Sequence, residues 1–356
     1  LYGSLASTGP GHLTDYIIDL KLKNVPHDII FDHETITDHP NTLIFETTTK
    51  EGVFIDKIVS IGGGTIKIND EIQNNLKEVY PHRYMKDIIA YCDTNNLSLA
   101  DYVIKFEGPE ILDYVKECYS KMNEAKERGV HTEGYLPGDL HVQRKAPIMY
   151  KRLMEDPEPF AKRNYDLIIA IGAMACAEEN ASGGEIVIAP TCGSCGVIPG
   201  CLSYLEARGS SLESMLKGLL VAGLVGMICK TNASVSGAEC GCQAEIGVAC
   251  AMGAAMISYV KGMLNYKISE AAEIALEHSL GLTCDPVKGL VQIPCIERNA
   301  MYALKAKNAF ALTQLIPGKS QVISFDNSVE TMYKTGKDLQ SGYRETGEKG
   351  LADLIK

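Results

Sequence analysis

The spacing of apolar and polar positions divides the chain into a short mixed region and a long helical one. Over residues 1–80 the periods are mixed. Leu1–Leu5 reads as a short strand entering a Gly/Pro turn at Ser7–Gly11, and Leu13–Leu22 has helical spacing. Thr42–Thr48 and Val53–Ile61 read as strands, and Asp38-His39-Pro40-Asn41 supplies turn chemistry. Gly62-Gly63-Gly64 follows the second strand. It lacks the Lys-Ser/Thr of a phosphate loop and the spacing of a dinucleotide fingerprint, so a tight turn is the favoured reading over a phosphate cradle.

Beyond residue 80 the period is helical. Met85–Asn95 and Leu99–Phe106 form two segments, and Glu110–Arg128 is a long charged helix with Ile111, Val115 and Met122 on one side. Gly134–Gly138, containing Pro137, breaks it. Arg144 and Lys145 read by default as structural or dimer-facing charges, with substrate carboxylate binding as the lesser reading. From residue 165 the helices become rich in Gly, Ala, Met and Cys. They are Leu167–Glu178, a helix through Cys229 opened by a Ser210-x-x-Glu213 capping box, Ile246–Val260, and Ser269–Ser279 ended by Leu280-Gly281. The expected architecture is an α+β domain over 1–80, a helical connecting region over 81–160 and an all-α domain over 161–356.

Composition narrows the class of partner. The 356 residues carry a net charge of −11, which argues against nucleic acid or an anionic membrane. A hydrophobic content of 46% with 22% charged residues is that of a soluble globular protein. The longest apolar run, Gly218–Ile228, is too short to span a bilayer. The twelve cysteines sit mostly in apolar helical patterns, and the opening has no secretory pattern. Both point to thiols, a reducing compartment and a cytoplasmic protein.

Three cysteines depart from the packing role. Cys242 lies near Glu239, Gln243 and Glu245; Cys284 adjoins Asp285; Cys295 precedes Glu297, Arg298 and Asn299. Thiols in such polar, loop-flanked settings suit soft metal ligands. Cys92, Cys118, Cys176, Cys201, Cys229 and Cys250 read as packing. Cys192 and Cys195 form a C-x2-C that could be half of a zinc site with Cys240 and Cys242, but one glycine between the latter two is poor chelate geometry. The glycine-rich loop Thr191-Cys192-Gly193 is better suited to offering backbone N–H groups to a carboxylate, or to a simple turn. Asn232, Ser234 and Ser236 could bind a polar ligand or satisfy helix ends. His278 reads as a satisfied core histidine. His12, after Gly-Pro-Gly, is a weak candidate for proton transfer.

The segments GAECGCQAE, LTCDPV and IPCIERNA, with EENASGG at 178–184, APTCGSCGV at 189–197 and LYGSLASTGPGH at 1–12, resemble the iron–sulfur L-serine dehydratases over essentially the whole chain. The resemblance implies a [4Fe–4S] cluster on Cys242, Cys284 and Cys295, conversion of L-serine to pyruvate and ammonia, and a homodimer. It also directs attention to Asn180, Ser182 and Gly183, with Glu178 and Glu179 before them, and to Glu239 and Arg298, as substrate-binding groups. Two features depart from the family pattern. A Ser-Ser-Ser-His-Thr-type segment that precedes this opening in the family, and that could carry the catalytic base, lies outside residues 1–356; and the last cysteine is Cys295, where family enzymes often carry a C-terminal one. A second reading is therefore a non-catalytic or incomplete subunit that dimerises or binds a small amino acid. A pyridoxal-phosphate enzyme is disfavoured, since no lysine stands in a convincing Schiff-base setting.

Overall fold

A computed structural model of the chain describes residues 1–73, 78–155, 164–318 and 321–355. Two short helices, α1 (Ser4–Thr8) and α2 (Thr14–Leu22), precede four strands, β1 (Thr42–Thr49), β2 (Gly52–Ser60), β3 (Ile66–Ile68) and β4 (Glu71–Ile72). The strands form one antiparallel meander in sequence order. Twelve helices then build the rest: α3 (Met85–Thr94), α4 (Leu99–Glu107), α5 (Ile111–His131), α6 (Ala146–Glu155), α7 (Tyr165–Ala181), α8 (Val197–Ala207), α9 (Leu212–Asn232), α10 (Gly237–Cys240), α11 (Val248–Val260), α12 (Asn265–Glu277), α13 (Cys295–Leu315) and α14 (Phe325–Asp338). A small sheet followed by a helical body is thus the observed class. The expected strand at Leu1–Leu5 is instead one bridge, Tyr2 to Asp32, followed by α1. Gly3, at φ 54°, turns the chain there and ends the extended run.

The core centres on α11, whose residues from Val248 to Ser258 are all buried. It packs against α9, α12 and α13. Small residues let these backbones approach: a Cβ on Gly253 would stand 2.8 Å from the Cys201 sulfur. Met85, Leu99, Tyr102 and Val103 of α3 and α4 join the same buried cluster. Among the described residues two helical stretches, Leu212–Asn232 and Gln243–Val260, are long and apolar enough to cross a membrane, so the apolar run is longer than its strict count suggests. Their most apolar windows are 61% and 89% buried inside the fold, as core helices are.

Helix ends correct several expectations. Ser211, not Ser210, caps α9, accepting the Ser214 N–H, while the Ser210 hydroxyl receives the Lys261 ammonium. α12 starts four residues before Ser269. His278 is exposed at its end, its Nδ1 bonded to the Ile274 carbonyl, and so is no core histidine. The carboxylates at the end of α7 also have structural partners. Glu178 accepts from the backbone N–H groups of Lys145 and Ala146, where an acidic group complements the start of α6. Glu179 is paired with Arg144 and Arg128, both at 2.9 Å. All twelve cysteines are free thiols.

Candidate active site and metal centre

One cavity of about 370 Å³ collects the polar groups of the molecule's distant segments. The end of α1 and the turn beyond it bring Gly11 and His12. The sheet brings Ser60 and Gly62–Gly64, the end of α7 brings Asn180, and the following loop brings Thr191, Cys192 and Gly193. Cys242 immediately precedes, and Glu245 lies within, a wide, π-type turn, Gln243–Gly247, that leads into α11. Such turns re-aim side chains that a regular helix would stack. Cys284 comes from an extended loop, Cys295 and Arg298 from the first turn of α13, and Glu345 from the C-terminal segment.

The centre of the site is a convergence of sulfur and oxygen. One ligand atom each of Cys242, Glu245 and Cys284 lies within 4.8 Å of the others. The two thiols approach Glu245 Oε2 at 3.8 and 3.7 Å. The Thr191 hydroxyl donates to Oε1 at 2.8 Å, which fixes the carboxylate with its other oxygen toward the sulfurs. Gly237 leaves the room: a Cβ there would stand 2.3 Å from Glu245 Oε2 and 3.4 Å from the Cys284 sulfur. Asn299 ties the flanking loop to α13, accepting from Gly196 N–H and donating to the carbonyls of Gly193 and Cys295. Arg298 donates to the Thr283 carbonyl and to Asp285, so its guanidinium is held at the wall.

Electrostatics follow from burial. Desolvation and the Glu345 charge push Glu245 up to about 8. Burial, with the Cys242 charge, pushes Glu345 up to about 7. The Cys284 thiol is raised by its hydrogen bond with Cys242 and by burial, and burial raises Cys295. His12 keeps about 30% of its side chain accessible, but that surface opens on the cavity, and desolvation lowers its pKa to about 4. A wall holding so many groups that become anionic, with Arg298 as its permanent cation, is a setting in which a metal favours the thiolate forms. Soft sulfur donors of this kind suit iron–sulfur or zinc chemistry. The zinc set of Cys192, Cys195, Cys240 and Cys242 is not assembled among the described residues: Cys192 is exposed, and the buried Cys195 sulfur faces the Cys176 carbonyl.

Residues 64–352 match the family described as serine dehydratase alpha chain. This chain belongs to that family. Three serine dehydratases illustrate the similarity. The L-serine dehydratase of Haemophilus influenzae is 38% identical, with all of this chain and 89% of that protein covered. L-serine dehydratase TdcG of Escherichia coli is 37% identical, over 99% of this chain and 88% of its own length. The L-serine dehydratase of Helicobacter pylori is 37% identical, over 100% and 89%.

Of the site residues expected from sequence, His12, Asn180, Thr191, Cys192, Gly193, Ser236, Cys242, Cys284, Cys295 and Arg298 line the serine dehydratase cavity. Five others stand behind its wall. Ser182 binds Arg144 and the Glu178 carbonyl. Gly183 packs toward Leu13. Asn232 binds the carbonyls of Arg83 and Ile228, and Ser234 binds Glu239, which also faces Lys337. Sequence reasoning missed Glu245 and Glu345 as cavity groups, and it favoured a turn over a phosphate cradle for the glycine triplet. The triplet is a turn, with φ positive at all three glycines, and it also lines the cavity. Spacing held one available signal, Cys242-x-x-Glu245, which puts both side chains on one turn. Glu345 had none.

Proposed function

We propose that this protein is an L-serine ammonia-lyase, converting L-serine to pyruvate and ammonia at a [4Fe–4S] centre held by Cys242, Cys284 and Cys295. The observation that carries the reading is the cavity itself, in which thiols from three separate segments share a wall with Arg298 and His12. The donor set fits the group: three soft sulfurs, two of them beside a buried carboxylate, in a pocket large enough for a small amino acid. When bound, the cluster supplies Lewis-acid polarisation of the leaving hydroxyl. Arg298 offers the charge that orients a carboxylate, and backbone N–H groups of the Thr191–Gly193 loop add to it. On this reading His12, which lines the cavity and is neutral at physiological pH, takes the Cα proton. Loss of that proton and of the hydroxyl leaves an enamine, which tautomerises and hydrolyses to pyruvate and ammonia.

The L-serine dehydratases similar in sequence, and the free state of all twelve thiols, support the same reading and a reducing, cytoplasmic setting. The reading includes a homodimer, for which the exposed Val53, Phe54 and Ile55 of β2 provide apolar surface. The test is anaerobic purification followed by metal analysis and a pyruvate assay. The expected result is about four irons and four sulfides per chain, with pyruvate formed from L-serine. Cys242→Ser, Cys284→Ser and Cys295→Ser should each lose iron, and Cys192→Ser should keep it. Zinc in place of iron, or loss of iron from Cys192→Ser alone, would sink the assignment.

A further inference from the structure

The cavity carries a charge arrangement that the reaction alone does not require. An α-amino acid presents a carboxylate and an ammonium on adjacent atoms, so a site selective for it needs one fixed cation and one fixed anion. Among the described lining residues Arg298 is the side chain with a permanent positive charge. Glu245 and Glu345 are the carboxylates. Glu245 is committed to Thr191 and to the thiols of Cys242 and Cys284. Glu345 is less engaged. Its side chain is 15% accessible, takes a hydrogen bond from the Ala238 backbone, and stands 3.7 Å from His12 Nε2, too far for a hydrogen bond.

The backbone holds Glu345 in place. Its N–H donates to the Cys284 carbonyl and the Cys284 N–H donates to the Tyr343 carbonyl, both at 2.9 Å. Its φ is 59°, a conformation that glycine adopts freely and a residue with a Cβ only at a cost. Asp285 connects the two poles: Oδ1 receives Arg298 at 3.3 Å and Oδ2 receives the Leu351 N–H of the C-terminal segment at 3.0 Å. One buried carboxylate thus ties Arg298 to the C-terminal segment that also carries Glu345.

We infer that Glu345 holds the α-ammonium of the substrate and makes the site select amino acids over hydroxy acids. This rests on the amino-acid lyase reading above. The test uses the iron-loaded full chain and two unreactive ligands, L-alanine and L-lactate, which differ in the ammonium. Glu345→Gln should weaken L-alanine binding, measured by calorimetry, at least about ten-fold, the effect of losing one charge-assisted hydrogen bond. L-lactate binding should not change, and KM for L-serine should rise by a similar factor with iron content unaltered. Glu345→Asp should keep the preference for alanine. If kcat falls while alanine binding and KM stay constant, Glu345 acts on His12 instead and the inference fails. It also fails if both variants lose iron, since the residue is then a support for Cys284. A wild-type protein that binds alanine through Glu345 yet forms no pyruvate would overturn the lyase reading while leaving this one standing.

Discussion

Glu245 shows how much one residue's setting depends on its neighbours. Its Oε1 is fixed by Thr191, its Oε2 faces two thiols, and the space for it exists because residue 237 is glycine. Gly237 has no positive φ, so replacing it adds bulk without backbone strain. Gly237→Ala should therefore push the Glu245 carboxylate off the sulfurs, lower iron and sulfide content severalfold and leave helical circular dichroism unchanged. Full iron content in that variant would show that the carboxylate position does not matter to the metal centre. The i, i+3 placement of Cys242 and Glu245 is legible in the chain. Their meeting with Cys284 is not, because no local spacing relates residues that two helices, α11 and α12, and their loops separate.

At the scale of elements, helix ends position the site. The end of α7 delivers Asn180 to the cavity, and the buried Arg144–Glu179 pair, with Arg128, pins that end against α5 and α6. Removing one partner of a buried pair leaves an uncompensated charge. Arg144→Met should cost up to about 3 kcal/mol in urea unfolding, the lower part of the usual range, because Arg128 still faces Glu179. A loss below about 0.5 kcal/mol, the scale of an exposed pair, would contradict this account. The sequence pattern placed α7 and its apolar run well, since nearly every residue there is buried. The family resemblance directed attention to Glu178 and Glu179 as substrate groups, and two acids at a helix C-terminus do oppose the local dipole. The structure gives the physical reason they are tolerated: Glu178 faces the N-terminus of α6, where a negative charge is favourable, and Glu179 faces two arginines.

At the scale of the molecule, the cavity has walls from the sheet, the helical core and the C-terminal segment, so the proposed metal centre would couple metal binding to folding. Under argon, urea should release iron and abolish helical circular dichroism in one transition. Iron release at clearly lower urea would place the centre in a locally opening segment instead. Hydrophobic period determined much by itself. The amphipathic α5, the small-residue helices around α11 and most of the packing cysteines follow from which positions must leave water, whereas the two long strands, largely exposed, follow from their β-branched and aromatic residues. The three cysteines set among charges were also legible, because buried thiols seldom sit beside ionisable groups without a chemical use. Tertiary structure alone decided which polar residues share the cavity. Ser182, Asn232, Ser234 and Glu239 found partners behind the wall, while Glu345, fifty residues beyond Cys295, reached it because the C-terminal segment pairs with the Cys284 loop. Burial is set locally by the pattern of side chains, whereas the neighbours of a buried charge are set by where the chain returns.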